Sequence, residues 1–158
     1  MENNHTNYEK SVTGVVIRDG KVLLARHTYG GGKGKLIVPG GYIEMDETPE
    51  QALVREYLEE TGICIEPGNI IGIRFNPRDW YVAFRAEYLS GTPRSDGDEN
   101  SEVLWMDIEE ALRRDDVPDL TKKLIQSAKA HQNGLEPIPY ESSGITPFSY
   151  YGLTESLQ

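Results

Sequence analysis

The stretch Gly41–Ile63, GYIEMDETPEQALVREYLEETGI, decides how the chain is read. Inside it, Thr48-Pro49-Glu50-Gln51 supplies an N-cap, a proline at the first helical position and a capping-box glutamine, and Gly62 supplies the C-terminal stop. The spacing predicts a short helix between Thr48 and Gly62. At about 100° per residue, Leu53, Val54, Tyr57 and Leu58 fall on one side, and Arg55, Glu56, Glu59 and Glu60 on the other. Ala52 falls amid the acidic side, where its methyl group leaves space between carboxylates.

Glu56, Glu59 and Glu60 stand at i,i+3 and i,i+4 spacings, where like charges cost roughly 0.2–0.5 kcal/mol per pair. Only Arg55 offsets them, and no lysine lies between Thr48 and Gly62. The alternative is a solvated surface helix, but such helices normally intersperse lysine. The preceding turn, Pro39-Gly40-Gly41, frees main-chain carbonyls for a ligand. Clustered oxygen donors without nearby His or Cys suit Mg²⁺ or Mn²⁺ better than Zn²⁺. Magnesium is usually held by a few carboxylates and completed by substrate phosphates, so a phosphorylated substrate is implied.

Outward from this stretch, SVTGVVIR and KVLLAR flank Asp19-Gly20, a two-residue hairpin signal. Tyr29–Lys35 (YGGGKGK) is a glycine-rich basic loop that enters the Pro-Gly-Gly turn. It is not a phosphate-binding P-loop: the first required glycine falls at His27, and Lys33 is followed by Gly34. After the helix, Asn69–Phe75 and Trp80–Tyr88 read as strands around an Asn76-Pro77-Arg78-Asp79 turn. Ser90–Ser101 reads as an acidic loop and Glu102–Met106 as a further strand. Asp107 caps a short helix, and Pro118 opens a second one running to about Gln132.

The 158 residues fit one domain over 11–132, with a polar arm over 1–10 and a proline- and aromatic-containing tail over 133–158. That tail is expected to pack on the domain or on a partner subunit, a homodimer being one outcome. Hydrophobic residues make up 37%, enough for one core. The net charge of -10 disfavours extended nucleic acid yet admits a small phosphorylated ligand when metal stands between the negative groups. No run of 18 apolar residues is present, so no membrane span is expected. The MENNHTNYEK start does not read as a secretory signal. The lone Cys64, flanked by isoleucines, reads as a buried hydrophobe in a cytoplasmic protein.

Gly41, five residues, Glu47, seven residues, then Arg55-Glu56-Tyr57-Leu58-Glu59-Glu60-Thr61-Gly62-Ile63 resembles the Nudix box, the signature of the Nudix hydrolases. The resemblance implies an α/β/α sandwich on a mixed β-sheet. By position it makes Glu56, Glu59 and Glu60 metal ligands, adds the Gly40 carbonyl, and pairs Glu47 with Arg55 as structural support. The implied reaction is attack of water on phosphorus in a nucleoside diphosphate derivative, using Mg²⁺ or Mn²⁺. Glu99 lies in a place resembling the late acidic residue of some relatives and is assigned as ligand or base. Glu102 is its substitute, and a solvated loop is the alternative. Two positions depart from the pattern: Tyr57 stands where the box is usually aliphatic, and Leu36 where many relatives carry an aromatic residue. Tyr57 is expected in the core, with its hydroxyl reaching a partner.

Substrate selection falls outside the box. Arg26, Lys35, Arg74 and Arg78 are candidate phosphate partners and Trp80 a stacking face, core packing being the alternative for the aromatic. His27 is expected at the rim. Pro77 resembles the proline of the ADP-ribose branch, although a turn proline is ordinary. The longer motif of NADH-cleaving relatives is absent. The substrate expected is ADP-ribose or a nucleotide sugar, then a nucleoside triphosphate. A module that binds a nucleotide metabolite without cleaving it is the alternative function.

Overall fold

The computed structural model describes residues 9–130, 134–141 and 147–153. The first ten-residue strand, β1 (Glu9–Arg18), turns at Asp19 and Gly20, both at positive φ, into β2 (Lys21–His27). This is the mirror-image turn whose twist suits a hairpin. The strands β3 (Leu36–Ile37) and β4 (Gly40–Tyr42) follow, then α1 (Pro49–Thr61). Next come the long hairpin β5 (Cys64–Phe75) and β6 (Asp79–Ser90), β7 (Asn100–Asp107), α2 (Ile108–Arg113) and α3 (Asp119–Lys129). Among the described tail residues, β8 (Glu136–Pro137) pairs with β9 (Tyr151–Gly152).

The sheet is mixed, in the order β3-β2-β1-β6-β5, with β4 paired to β1 and β7 to β2. Strand β1 runs parallel to β6 and antiparallel to β2 and β4. Its far end holds β2 while its first half holds β4, so the two branches separate. Period-2 alternation then feeds two cores. Val12, Val16 and Leu23 pack with Leu53 and Tyr57 of α1 on one face. Val15, Val22 and Leu24 pack with Ala111 of α2 and Leu124 and Ile125 of α3 on the other. The result is an α/β/α sandwich.

Several expected boundaries shift. Both central hairpin strands extend beyond 69–75 and 80–88, because pairing continues through bulges between Cys64 and Gly72. Helix α3 stops at Lys129, with Ala130 at its C-cap, short of the expected Gln132; residues 131–133 lie outside the described set. Pro118 is its N-cap rather than its first turn. The expected arm over 1–10 is described only at Glu9 and Lys10, which begin β1. Cys64 is half-buried. Among the described residues no helix is long and apolar enough to cross a membrane.

Candidate active site

Helix α1 is fixed at both ends by its own sequence. The Thr48 hydroxyl accepts from the Gln51 N–H while the Gln51 side chain accepts from the Thr48 N–H, and Gly62 closes the helix in the left-handed region at φ 75°. Its inward face differs from the helical-wheel expectation. Leu53 and Tyr57 are buried as expected, but Val54 and Leu58 are exposed, and Ala52, Thr61 and Glu60 are buried instead. The arc facing the sheet is rotated so that one end of it opens on a cavity, and Glu60 enters the protein there at 7% exposure. Gly14 on β1 allows this close approach: a side chain there would press on Leu53 and Tyr57. The Tyr57 hydroxyl donates to the Gly14 carbonyl at 2.6 Å.

The turn before the helix is equally constrained. The Thr13 hydroxyl donates to the Pro39 carbonyl at 2.7 Å. A Cβ on Gly40 would collide with the Val12 carbonyl, and one on Gly41 with the Glu56 carboxylate. Arg55 spans loop and helix, with Nε at 2.7 Å and Nη2 at 2.8 Å from the two Glu47 oxygens, and Nη1 at 2.8 Å from Glu56. Its Nη2 also donates to the Tyr42 carbonyl at 3.1 Å. The bidentate pair depresses the Glu47 pKa and raises that of Arg55.

Carboxylate oxygens of Glu56, Glu60 and Glu99 lie within 4.8 Å of one another. Glu56 is half-buried, Glu60 buried and Glu99 exposed. Glu60 is pushed up to about 9, first by burial, then by the negative Glu56 and by Glu99, against a backbone hydrogen bond from Gly40. Burial also raises Glu56 despite the adjacent Arg55. Three acids thus converge, with Arg55 relieving only Glu56. An all-oxygen donor set whose mutual repulsion goes unrelieved fits a hard divalent cation. The carboxylate of Glu59 is not one of the three: it is 60% exposed and sits 3.4 Å from Arg55 Nη1.

The cluster lines a cavity of about 350 Å³ between the two branches of the sheet. His27 and Tyr29, stacked at 6.0 Å, stand on the β2 side, and Gly40 and Gly41 of β4 on the other. Burial lowers the His27 pKa, favouring neutral imidazole, against the nearby Glu99 and Asp96. Pro118, Leu120 and Leu124 form an apolar wall, and Tyr81 of β6 lines the same space. Arg74 lines the same cavity, 2.6 Å from Asp79, which also accepts from the Ser11 hydroxyl. The Arg74 Nε is a buried donor without a partner.

The other substrate candidates lie elsewhere. Arg26 does not line the cavity, because Glu102, Asp116 and the Gly34 carbonyl hold its guanidinium at 3.1, 3.1 and 2.9 Å. Lys35 and Arg78 are exposed and outside the cavity lining. Trp80 packs edge-on against Phe75 at 5.1 Å, also away from the lining. Sequence reasoning passed over Asp79 and Ser11. The available signal was register: parallel pairing puts Ser11 beside Tyr81, and β5 pairs Arg74 with Tyr81.

Residues 8–127 match the NUDIX domain. The chain is 39% identical over 107 residues to a MutT-like protein of Streptomyces ambofaciens, covering 66% of this chain and 67% of that one. It is 32% identical over 104 residues to an ADP-ribose pyrophosphatase of Methanocaldococcus jannaschii, covering 62% of this chain and 61% of that protein. A NUDIX hydrolase structure from Nitrosomonas europaea superposes with a TM-score of 0.71 at 26% identity, covering 80% of this chain and 92% of that one. The chain belongs to the NUDIX family. Its class is the Nudix-type pyrophosphohydrolase.

Proposed function

We propose that the protein hydrolyses the pyrophosphate linkage of a nucleoside diphosphate derivative, of the ADP-ribose or nucleotide-sugar type, with Mg²⁺ or Mn²⁺ held by Glu56, Glu60 and Glu99. The observation that carries this reading is the convergence of those carboxylates within 4.8 Å on the cavity wall. The bound cation would gather phosphate oxygens, offset their charge and acidify water. Gly40 lines the same space, and its carbonyl is a further ligand in this reading. Arg55 and Glu47 keep the turn and helix in register. Glu59, 3.4 Å from Arg55 Nη1, and Glu99 are exposed carboxylates, where a proton leaving the attacking water can be received.

Substrate binding follows from the rest of the cavity. The charge of Arg74 is matched by Asp79, so this pole suits a neutral group with a hydrogen-bond acceptor rather than a phosphate. The Arg74 guanidinium and the apolar wall of Leu120 and Leu124 line one space and together suit a nucleobase. The ADP-ribose pyrophosphatase activity of the Methanocaldococcus relative favours the same substrate type.

The test is product identification with ADP-ribose, a UDP-sugar, NADH and nucleoside triphosphates, in Mg²⁺ and in Mn²⁺. Cleavage of ADP-ribose or the UDP-sugar between its phosphates is expected. Binding without turnover in either metal would replace this reading with that of a nucleotide-metabolite sensor.

A further inference from the structure

The segment joining β6 to β7 also closes the C-terminal end of α1. A helix leaves its last carbonyls without partners of its own. The Leu58 carbonyl accepts from the Gly62 N–H at 3.0 Å, and the Thr61 carbonyl from the Arg94 N–H at 2.9 Å. The Glu60 carbonyl accepts from the side-chain amide of Asn100, also at 2.9 Å. Asn100 is a buried polar residue, 2% exposed, and all its groups are used. Its side-chain oxygen accepts from the Asp96 N–H at 3.3 Å, its N–H donates to Asp96 Oδ1 at 3.0 Å, and its carbonyl accepts from the Ser95 hydroxyl at 2.8 Å.

One buried amide therefore joins the main chain of Glu60 to the residue next to Glu99. The sheet register brings it there. Arg26 is opposite Glu102 but His27 is opposite Asn100, so Ser101 is an extra residue on β7. With that bulge Asn100 turns inward while the Glu102 side chain remains 49% exposed. From the other side, Thr28 donates its N–H to the Glu99 carbonyl at 3.1 Å and its hydroxyl to the Asp98 carbonyl at 2.6 Å. Such a tie has a clear purpose. Glu60 is set in a rigid helix, Glu99 stands on a loop, and their like charges drive them apart unless the main chain holds them.

We propose that Asn100 is a positioning residue that fixes the separation of the Glu60 and Glu99 carboxylates and thereby sets the metal affinity of the cluster. This rests on the reading of Glu56, Glu60 and Glu99 as ligands. Asparagine suits the place because it both donates and accepts without adding a fourth negative charge.

The experiment is a Mn²⁺ titration of the full chain, with kcat, KM and thermal melting recorded in parallel, on Asn100→Ala, Asn100→Leu, Glu99→Gln and their double variants. Asn100→Leu keeps the branching and the number of side-chain heavy atoms while removing every side-chain hydrogen bond. Loss of an outer partner of a metal ligand typically weakens affinity roughly 10- to 100-fold, and that is the loss expected here. It should recover in turnover at high Mn²⁺ and nearly vanish when Glu99→Gln is already present. If neither Asn100 variant folds, Ser95→Ala, which removes the hydroxyl bond to the Asn100 carbonyl together with the one accepted from the Gly97 N–H, reads the same coupling with a smaller loss. An effect of equal size with and without Glu99, or none, overturns the proposal. Glu60→Gln is the control for the parent reading: if it leaves Mn²⁺ binding intact, the cluster itself is not the metal site.

Discussion

Glu60 concentrates the conflict on which the site is built. Its carboxyl is buried beside two other acids and sits at about 9, against an ordinary 4.5. The folded state of the metal-free protein therefore retains a proton that the unfolded chain releases. The associated stability is complete below the unfolded value and is lost as pH rises towards the folded one. Melting of the metal-free protein should accordingly fall between pH 5 and 9. Glu60→Gln, which cannot ionise, should flatten that slope while lowering turnover by orders of magnitude. Paired melting curves and initial rates check both, and an unchanged slope would remove Glu60 as its source. At the other pole of the cavity, Arg74→Lys keeps a charge for Asp79 but removes the planar guanidinium that lines the space. A hydrogen bond from a charged group contributes roughly 1.5–3 kcal/mol, so KM should rise about tenfold or more, with kcat little changed. Steady-state kinetics separates this from a role in phosphate activation, which would lower kcat.

At the scale of elements, the caps of α1 and the Asp19-Gly20 hairpin were legible because their causes are local: a hydroxyl three residues from an amide, or two residues at positive φ. The Glu47–Arg55 pair was legible only through the box resemblance. The buried arc of α1 was not legible from periodicity, which sends carboxylates to solvent and aliphatics to the core. Here the cavity beside the helix admits Glu60 and leaves Val54 and Leu58 outside. Arg26 shows the same limit from the other direction, since its partner Asp116 is ninety residues away in sequence and only the fold brings the two together. Two substitutions probe how α1 is seated. Tyr57→Phe deletes a 2.6 Å bond and leaves the Gly14 carbonyl short of a donor in a dry core, at a cost of about 1–3 kcal/mol measurable by urea unfolding. Gly41→Ala acts on function instead. Its Cβ would occupy the space of the Glu56 carboxylate, so Mn²⁺ affinity and turnover should fall together while the melting temperature changes little. A Gly41→Ala protein with wild-type Mn²⁺ affinity would place Glu56 outside the metal shell.

At the scale of the molecule, the described tail residues act on the sandwich rather than on the cavity. Leu135 exchanges two main-chain hydrogen bonds with Ile70, at 2.9 and 3.1 Å, along the outer strand of the sheet. An outer strand carries unpaired amides, and such a bridge covers part of them. The Tyr151 ring meets Phe84 edge-on at 5.4 Å in the core beneath α1, and its hydroxyl lies 3.3 Å from Glu50 in the first turn of that helix. None of these tail residues lines the cavity that holds Glu56, Glu60 and Glu99. Among the described tail residues, Tyr151 is thus placed against the back of the helix whose acidic end faces the substrate space. Tyr151→Ala should lower stability by less than the 3–5 kcal/mol typical of deleting a fully buried aromatic, roughly 1–3 kcal/mol, because the ring is only half-buried. Mn²⁺ affinity and KM should stay at their wild-type values. Chemical denaturation beside a metal titration decides the matter, because a tail that covered the substrate space would move KM in this variant, whereas a buttress moves only the unfolding midpoint.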